Sequence, residues 1–177
     1  ATNSCTSALD LCLKAYDIHD GELITTPMTF VADTIVGEWN GMDVTFGDID
    51  RDSLCLDPHK LAITENTKAI IAVDSHGRLA DIEVIRELAK RAGASPLIIE
   101  DAAHAMFTPG AGKGDITVWS FQAVKTMPAG DGGMITTNDE HIYDELRKMT
   151  WLGVEKSTYH RAEGKRYSWD YDIRRGD

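Results

Sequence analysis

Three short stretches of this sequence combine residue types that can do chemistry. In Ile98-Ile99-Glu100-Asp101-Ala102-Ala103-His104, an acidic pair leaves an apolar run, and two small residues and a histidine follow. Read as a strand, the run places a carboxylate at a sheet edge. There it either caps the next turn or is buried and needs a cationic partner such as a protonated pyridine nitrogen. His104 alone reads more simply as a satisfied structural histidine. In Trp119-Ser120-Phe121-Gln122-Ala123-Val124-Lys125-Thr126, a lysine follows another apolar run and precedes Gly130-Asp131-Gly132-Gly133. That is an unusual place for a solvated charge, although a generic loop lysine is the commoner occurrence. The glycines allow close backbone approach and positive φ. Finally, Asn3-Ser4-Cys5-Thr6-Ser7-Ala8-Leu9 sets small hydroxyl residues at a helix start. Simple N-capping is the commoner reading, and an anion site at the free N–H groups is the alternative.

Other chemistries are poorly supported. Gly110-Ala111-Gly112-Lys113-Gly114 looks like a phosphate loop, but Gly114 stands where Ser or Thr is required and the upstream glycine spacing is wrong. Gly130-Asp131-Gly132-Gly133 fails the dinucleotide pattern because no helix opens at its third glycine position. No serine sits in a Gly-x-Ser-x-Gly elbow. Asp74 and His76 are near neighbours, but no second cluster at metal-ligand spacing accompanies them.

The elements that must position these residues alternate between strand-like and helix-like runs, the pattern of an α/β sheet. A helix is expected over Ala8 to Ala15 with Thr6-Ser7 in the capping position, and a strand over Leu23 to Thr26 stopped by Pro27. Phe30 to Trp39 reads as a helix and Asp43 to Phe46 as a strand. Ala69 to Val73 is a buried strand, Asp81 caps a helix running to Ala92, Gly93 ends it, and Leu97 to Ile99 is the next strand. Such a unit implies parallel neighbours joined by a right-handed crossover. Ile116 to Phe121 and Met134 to Thr137 read as further strands, and Asn138-Asp139 opens a helix to about Met149. Beyond Trp151 the pattern becomes polar and aromatic, as in a surface excursion. Ligands in open α/β sheets bind beyond the carboxyl ends of the strands, which directs attention to Thr26, Asp74, Glu100-Asp101 and Phe121 onward.

Bulk properties set the frame. With 177 residues, 42% hydrophobic and 27% charged, the chain is long enough for one globular domain with its own core. A net charge of −11 argues against nucleic acid or an anionic membrane as the main partner. It leaves room for a phosphorylated ligand, since a few oriented N–H groups suffice for one. Cys5, Cys12 and Cys55 make no disulfide framework, and a reducing cytoplasm is the expected location. No apolar run approaches a bilayer span, and no signal-peptide pattern opens the chain. The missing initiator Met and the abrupt Arg174-Arg175-Gly176-Asp177 end lead us to expect a single domain, 1–177, trimmed at both ends.

These signals occur in an order that closely resembles the DegT/DnrJ/EryC1/StrS family. The motifs are Ser4-Cys5-Thr6-Ser7-Ala8-Leu9, Thr26-Pro27-Met28-Thr29-Phe30, Glu100-Asp101-Ala102-Ala103-His104-Ala105, Ser120-Phe121-Gln122-Ala123-Val124-Lys125 and Gly130 to Asp139. The resemblance runs from Ala1 to about Ile173. It implies a pyridoxal 5′-phosphate (PLP) enzyme that moves an amino group from an amino acid, expected to be glutamate, to a nucleotide-linked keto sugar. It implies the large domain of fold-type I enzymes, a mostly parallel mixed sheet with helices on both faces. Lys125 would hold PLP as a Schiff base and then act as base and acid in the proton shift. Asp101 would pair with the pyridine N–H and keep the ring an electron sink. Phe30 would stack on the ring, and His104 would lie beside it near the ring oxygen. Thr6, Ser7 and Ser120 would hold the phosphate.

The chain also departs from the family. Asp74-Ser75-His76-Gly77 stands where a His-x-Tyr-Gly stretch is frequent, so substrate or dimer contacts are expected to differ there. Beyond Ile173 the family continues into a smaller domain that supplies an Asn to the neighbouring subunit's phosphate and part of the sugar site. A homodimer is the expectation for the intact protein. Two alternatives stand beside amino transfer: the family's sugar-dehydratase branch, in which His replaces the lysine and against which Lys125 speaks, and an inactive PLP-binding domain.

Overall fold

The computed structural model describes residues 1–154. The chain divides into two compact units, Ala1–Asn138 and Asp139–Asp177. The first contains a six-stranded sheet in the order β2-β1-β3-β4-β5-β6. Its strands are β1 (Glu22–Thr25), β2 (Asp43–Phe46), β3 (Thr67–Val73), β4 (Leu97–Asp101), β5 (Ile116–Ser120) and β6 (Gly133–Thr137). Strands β1 to β5 are parallel, and β6 returns antiparallel to β5. The expected mixed, mostly parallel sheet is therefore found. β3 and β4 are buried along nearly their whole lengths, as continuous apolar runs in a doubly covered sheet should be.

Three helices belong to this unit: α1 (Cys5–Ala15), α2 (Ala32–Trp39) and α3 (Ile82–Arg91). α2 joins β1 to β2 and α3 joins β3 to β4, in opposite directions along the sheet. Right-handed crossovers therefore place them on opposite faces. Packing agrees with this. Ile24, Ile70, Ala72 and Ile98 cluster with Ile82 and Ile85 of α3. Leu23, one residue from Ile24 and so on the other face, lies against Gly37 of α2. A Cβ on Gly37 would come within 2.7 Å of Val44 Cγ2 and 3.4 Å of Leu23 Cδ1.

The same alternation separates the acidic pair at the end of β4. Glu100 shares the α3 face with Ile98, while Asp101 shares the other face with Ile99. Because β2 and β4 extend the sheet in opposite directions from β1 and β3, the chain order reverses between β1 and β3. That reversal is where open α/β sheets form a ligand crevice.

Several strand ends shift by one or two residues from expectation, and three boundaries that bear on the site differ. The first helix starts at Cys5, because Ser4 is the cap: its backbone is extended and its Oγ accepts from Ser7 N at 3.1 Å. Thr6 and Ser7 are thus inside the first turn. The second helix starts at Ala32. Phe30 contributes only a turn, its carbonyl accepting from Asp33 N at 3.3 Å. β5 stops at Ser120, so Phe121 already belongs to the following loop. By contrast, Asp81 caps α3 as expected, accepting from Val84 N at 3.2 Å, and Gly93 follows its end with φ +73°.

In the second unit, α4 (Glu140–Met149) is capped by Asp139, which accepts from Ile142 N at 3.1 Å. Ile142 and Leu146, one turn apart, are its buried residues. The polar stretch anticipated beyond Trp151 falls largely in 155–177, outside the described residues. No helix among the described residues is long and apolar enough to cross a membrane.

Candidate active site

Segments leaving β1, β3, β4 and β5, together with the N-terminus of α1, meet at the carboxyl edge of the sheet. α1 is tied there by a bridge between Thr2 and Gly133, with Thr2 N to Gly133 O at 2.8 Å and Gly133 N to Thr2 O at 3.0 Å. Gly133 lies opposite Ser120, the last residue of β5. The approach is close enough to require glycine, since a Cβ on Gly133 would meet Ser4 O at 2.5 Å. The N–H of Ser7 is taken by Ser4 Oγ and that of Ala8 by Ser4 O. Those of Cys5 and Thr6 have no such bond among the described residues, which leaves an anion-attracting helix end.

Asp101 is 6% exposed. Its Oδ1 accepts from Ala103 N at 2.9 Å, and the Cys5 thiol lies 4.0 Å away. Burial pushes its carboxyl above the usual range, while the Ala103 N–H, a hydrogen bond with Asp33 and the Lys125 charge pull it down. Burial, followed by the Asp101 charge, drives the Cys5 thiol up, so it remains a neutral weak donor. No ion pair to Asp101 occurs among the described residues. A buried carboxylate of this kind suits a cationic ring N–H of PLP.

Lys125 is half-buried in the loop after β5. That loop is folded on itself by Lys125 N to Gln122 O at 2.9 Å and Ala129 N to Phe121 O at 2.7 Å. Ser120 is buried and accepts from Gln122 N at 3.4 Å. The Lys125 charge acts on Cys5, Asp33, Asp101 and His104 alike. These five side chains therefore form one electrostatic group.

His104 accepts the backbone N–H of His76 at its Nδ1, 3.3 Å away, and the two rings lie 5.7 Å apart. Partial burial, then Lys125 and His76, lower its pKa. A neutral ring that accepts at Nδ1 carries its hydrogen on Nε2. His76 adopts φ 55°, an uncommon conformation for a side-chain-bearing residue, and Gly77 follows at φ 79°. Phe30 is 71% exposed on the segment between β1 and α2.

On the α3 face, Glu100 explains the glycine-rich segment that mimics a phosphate loop. Its carboxylate accepts from Gly112 N at 2.8 Å, Lys113 N at 2.5 Å and Gly114 N at 2.7 Å. The nest is occupied by an internal anion. Asp74 lies on the same face, with Oδ1 accepting from Ala80 N at 2.9 Å and Oδ2 meeting no donor among the described residues. Burial pushes its pKa up to about 8, the Ala80 N–H opposes this, and the charge and hydrogen bond of Glu100 add to it.

An unfolded Asp releases its proton near pH ~4, whereas folded Asp74 holds it to about 8. Between those values the native state binds the extra proton, so this group's contribution to stability falls as pH rises. Asp74→Asn mimics the neutral form. Its stability relative to the wild type should climb between about pH 5 and about pH 8 in urea denaturation. A difference that stays flat across this range would show that Asp74 is ionised throughout.

Two carboxyls in these clusters escaped the sequence reading in their actual roles. Asp33, in the first turn of α2, is fully buried against Asp101. Its signal in the sequence was its place with Ala32, Val36 and Gly37 on the helix's buried side. Glu100 was seen only as half of an acidic pair, although strand alternation already sends it away from Asp101.

The sheet and its reversal point are those of the large domain of fold-type I PLP-dependent transferases. The chain belongs to the DegT/DnrJ/EryC1/StrS aminotransferase family, whose model matches residues 1–173. It is 40% identical over 183 residues to the spore coat polysaccharide biosynthesis protein SpsC of Bacillus subtilis, covering 98% of this chain and 46% of SpsC. Among solved structures, it resembles the PLP form of the putative sugar aminotransferase Spr1654 from Streptococcus pneumoniae. That match has a TM-score of 0.81 and 29% identity, and covers 98% of this chain and 48% of the other. It also resembles DesI, solved in the presence of its TDP-sugar product, with a TM-score of 0.77 and 30% identity over 90% of this chain and 41% of DesI. The chain thus spans about half the length of the relatives it matches.

Proposed function

We propose that the protein containing this domain is a PLP-dependent aminotransferase that moves an amino group from an amino acid, glutamate, to a nucleotide-linked keto sugar. The carrying observation is the buried Asp101 carboxylate, without an ion-pair partner among the described residues, in one electrostatic group with Lys125. When bound, PLP supplies a carbonyl that accepts an amine and a ring that withdraws electrons. Asp101 would hold the ring N–H by a charge-assisted hydrogen bond. Lys125 would hold the cofactor through Nζ, and the same amine would serve as the base and acid that moves a proton at the reacting carbon. The open end of α1, with Thr6 and Ser7 in its first turn, and the Ser120 hydroxyl receive the phosphate. His104 would lie beside the ring with Nε2 as a donor, and Phe30, exposed on the segment between β1 and α2, would cover one ring face.

The names of SpsC and DesI support polysaccharide precursors and nucleotide sugars as the substrate class. Exposed apolar side chains at Phe30 (71%), Val31 (58%), Phe107 (73%) and Val124 (83%) support a homodimer. The three free thiols are consistent with a cytoplasmic enzyme. The dehydratase reading is disfavoured because the lysine is present at 125.

The test is Asp101→Asn in the full-length protein. Replacing a charged acceptor by an amide removes about 1.5–3 kcal/mol of hydrogen bonding, so PLP affinity should fall roughly 10- to 100-fold. Conversion of the bound cofactor to its amine form by glutamate should slow at least as much. Wild-type affinity together with a wild-type conversion rate in this variant would sink the assignment of Asp101.

A further inference from the structure

We infer that Asp33 is a positioning residue for Asp101: it stays protonated and donates its carboxyl proton to the Asp101 carboxylate, so that the buried pair carries one negative charge. The inference rests on the proposed pairing of Asp101 with the cofactor's ring nitrogen and adds a residue that acts through Asp101.

The geometry leaves few other arrangements. Asp33 is 0% exposed. Its Oδ2 accepts from the Thr29 hydroxyl at 2.5 Å, whereas its Oδ1 meets no N–H or O–H donor among the described residues. What lies within hydrogen-bonding reach is the Asp101 carboxyl. Two ionised carboxylates offer only acceptors to each other, so the contact needs a proton on one of them.

The surroundings decide which one holds it. Asp101 has the Ala103 N–H at 2.9 Å, the Cys5 thiol at 4.0 Å and the Lys125 charge to stabilise its anion. Asp33 has the Thr29 hydroxyl and the Lys125 charge, against full burial beside a second acid, and no backbone N–H reaches its carboxyl among the described residues. These causes drive its carboxyl well above the usual range. The dipole of α2 favours an anion at Asp33, but that effect is small beside the desolvation of a second charge. The titratable groups that interact with the pair are Cys5 from α1, Lys125 from the loop after β5 and, beyond the end of β3, Asp74, whose carboxyl the Asp101 charge helps to push up.

A neutral Asp33 thus supplies a donor that orients the Asp101 carboxylate and helps keep it ionised, without adding a second buried charge. An Asn at this position preserves the arrangement: its carbonyl can accept from Thr29 and its amide N–H can donate to Asp101. Ala cannot.

Two measurements on the full-length protein test this. Infrared spectra of the cofactor-free form at neutral pH, wild type minus Asp33→Asn, should contain a protonated-carboxyl C=O stretch. Asp74 is present in both proteins and cancels. Absence of that band overturns the inference without touching the PLP assignment. In PLP titrations, Asp33→Asn should stay within about threefold of wild type, while Asp33→Ala should lose about tenfold or more. Equal losses in both variants would mean that Asp33 acts as a charge, and no loss in either would mean that it does not position Asp101. Should Asp33→Ala fail to fold, the infrared difference and the Asn variant still decide. Failure of the wild type to bind PLP would count against the proposed function, leaving the shared proton to be judged by the infrared band.

Discussion

Lys125→Ala should abolish the visible absorption band that PLP gives with the wild-type protein, and borohydride should no longer fix the cofactor to the chain. In the wild type the reduced label should map to Lys125 and to no other lysine. The rate of the glutamate half-reaction should fall by roughly 10²–10⁴-fold, the usual contribution of a positioned acid–base group. The reason lies in the loop after β5. It leaves Lys125 half-buried, with its charge acting on Cys5, Asp33, Asp101 and His104, and fixes its backbone by the bond to Gln122 O. No other lysine among the described residues influences Asp101 in this way. The variant should still bind PLP weakly through noncovalent contacts, because the helix end and Asp101 are unchanged. A wild-type band in Lys125→Ala, or a label on a different lysine, would remove the residue on which the proposed chemistry depends.

Some of this was legible in the sequence for plain physical reasons. Ala69 to Val73 reads as a buried strand because both faces of β3 are covered, and Asp81 with Gly93 brackets α3 because caps have local chemistry. Lys125 was different. A lysine in a loop has no local signature, and only the order of the surrounding motifs singled it out. Ser4 was hidden by redundancy, since Ser4, Thr6 and Ser7 can all cap and only the backbone path decides among them. Asp33 was hidden by its position. An acid in a helix's first turn ordinarily complements the dipole at the surface, and starting that helix at Phe30 removed the cue that position 33 packs inward. The expected sheet was recovered because its signals are periodic, whereas the carboxyl pairs depend on contacts between separate crossovers.

Glu100→Ala should produce the largest loss of stability, about 3–5 kcal/mol, out of the ~5–15 kcal/mol typical of a whole domain. Glu100 is 1% exposed and its carboxylate receives three consecutive backbone N–H groups from Gly112, Lys113 and Gly114. Truncation leaves those donors facing a void and removes the partner of Asp74. Water can reach the exposed Gly112 and Lys113, which keeps the cost below the sum of three charge-assisted bonds. Glu100→Gln retains one carbonyl acceptor and the side-chain volume, so it should fall between the two. Urea denaturation measures both, and a loss under about 1 kcal/mol for the Ala variant would contradict this reading of the loop. Glu100 lies on the α3 face and Asp101 on the other, so the folded fraction of Glu100→Gln should still take up PLP on Lys125. The same pair of neighbouring acids would then separate by experiment as it does by strand alternation, with one holding the scaffold and its neighbour facing the cofactor.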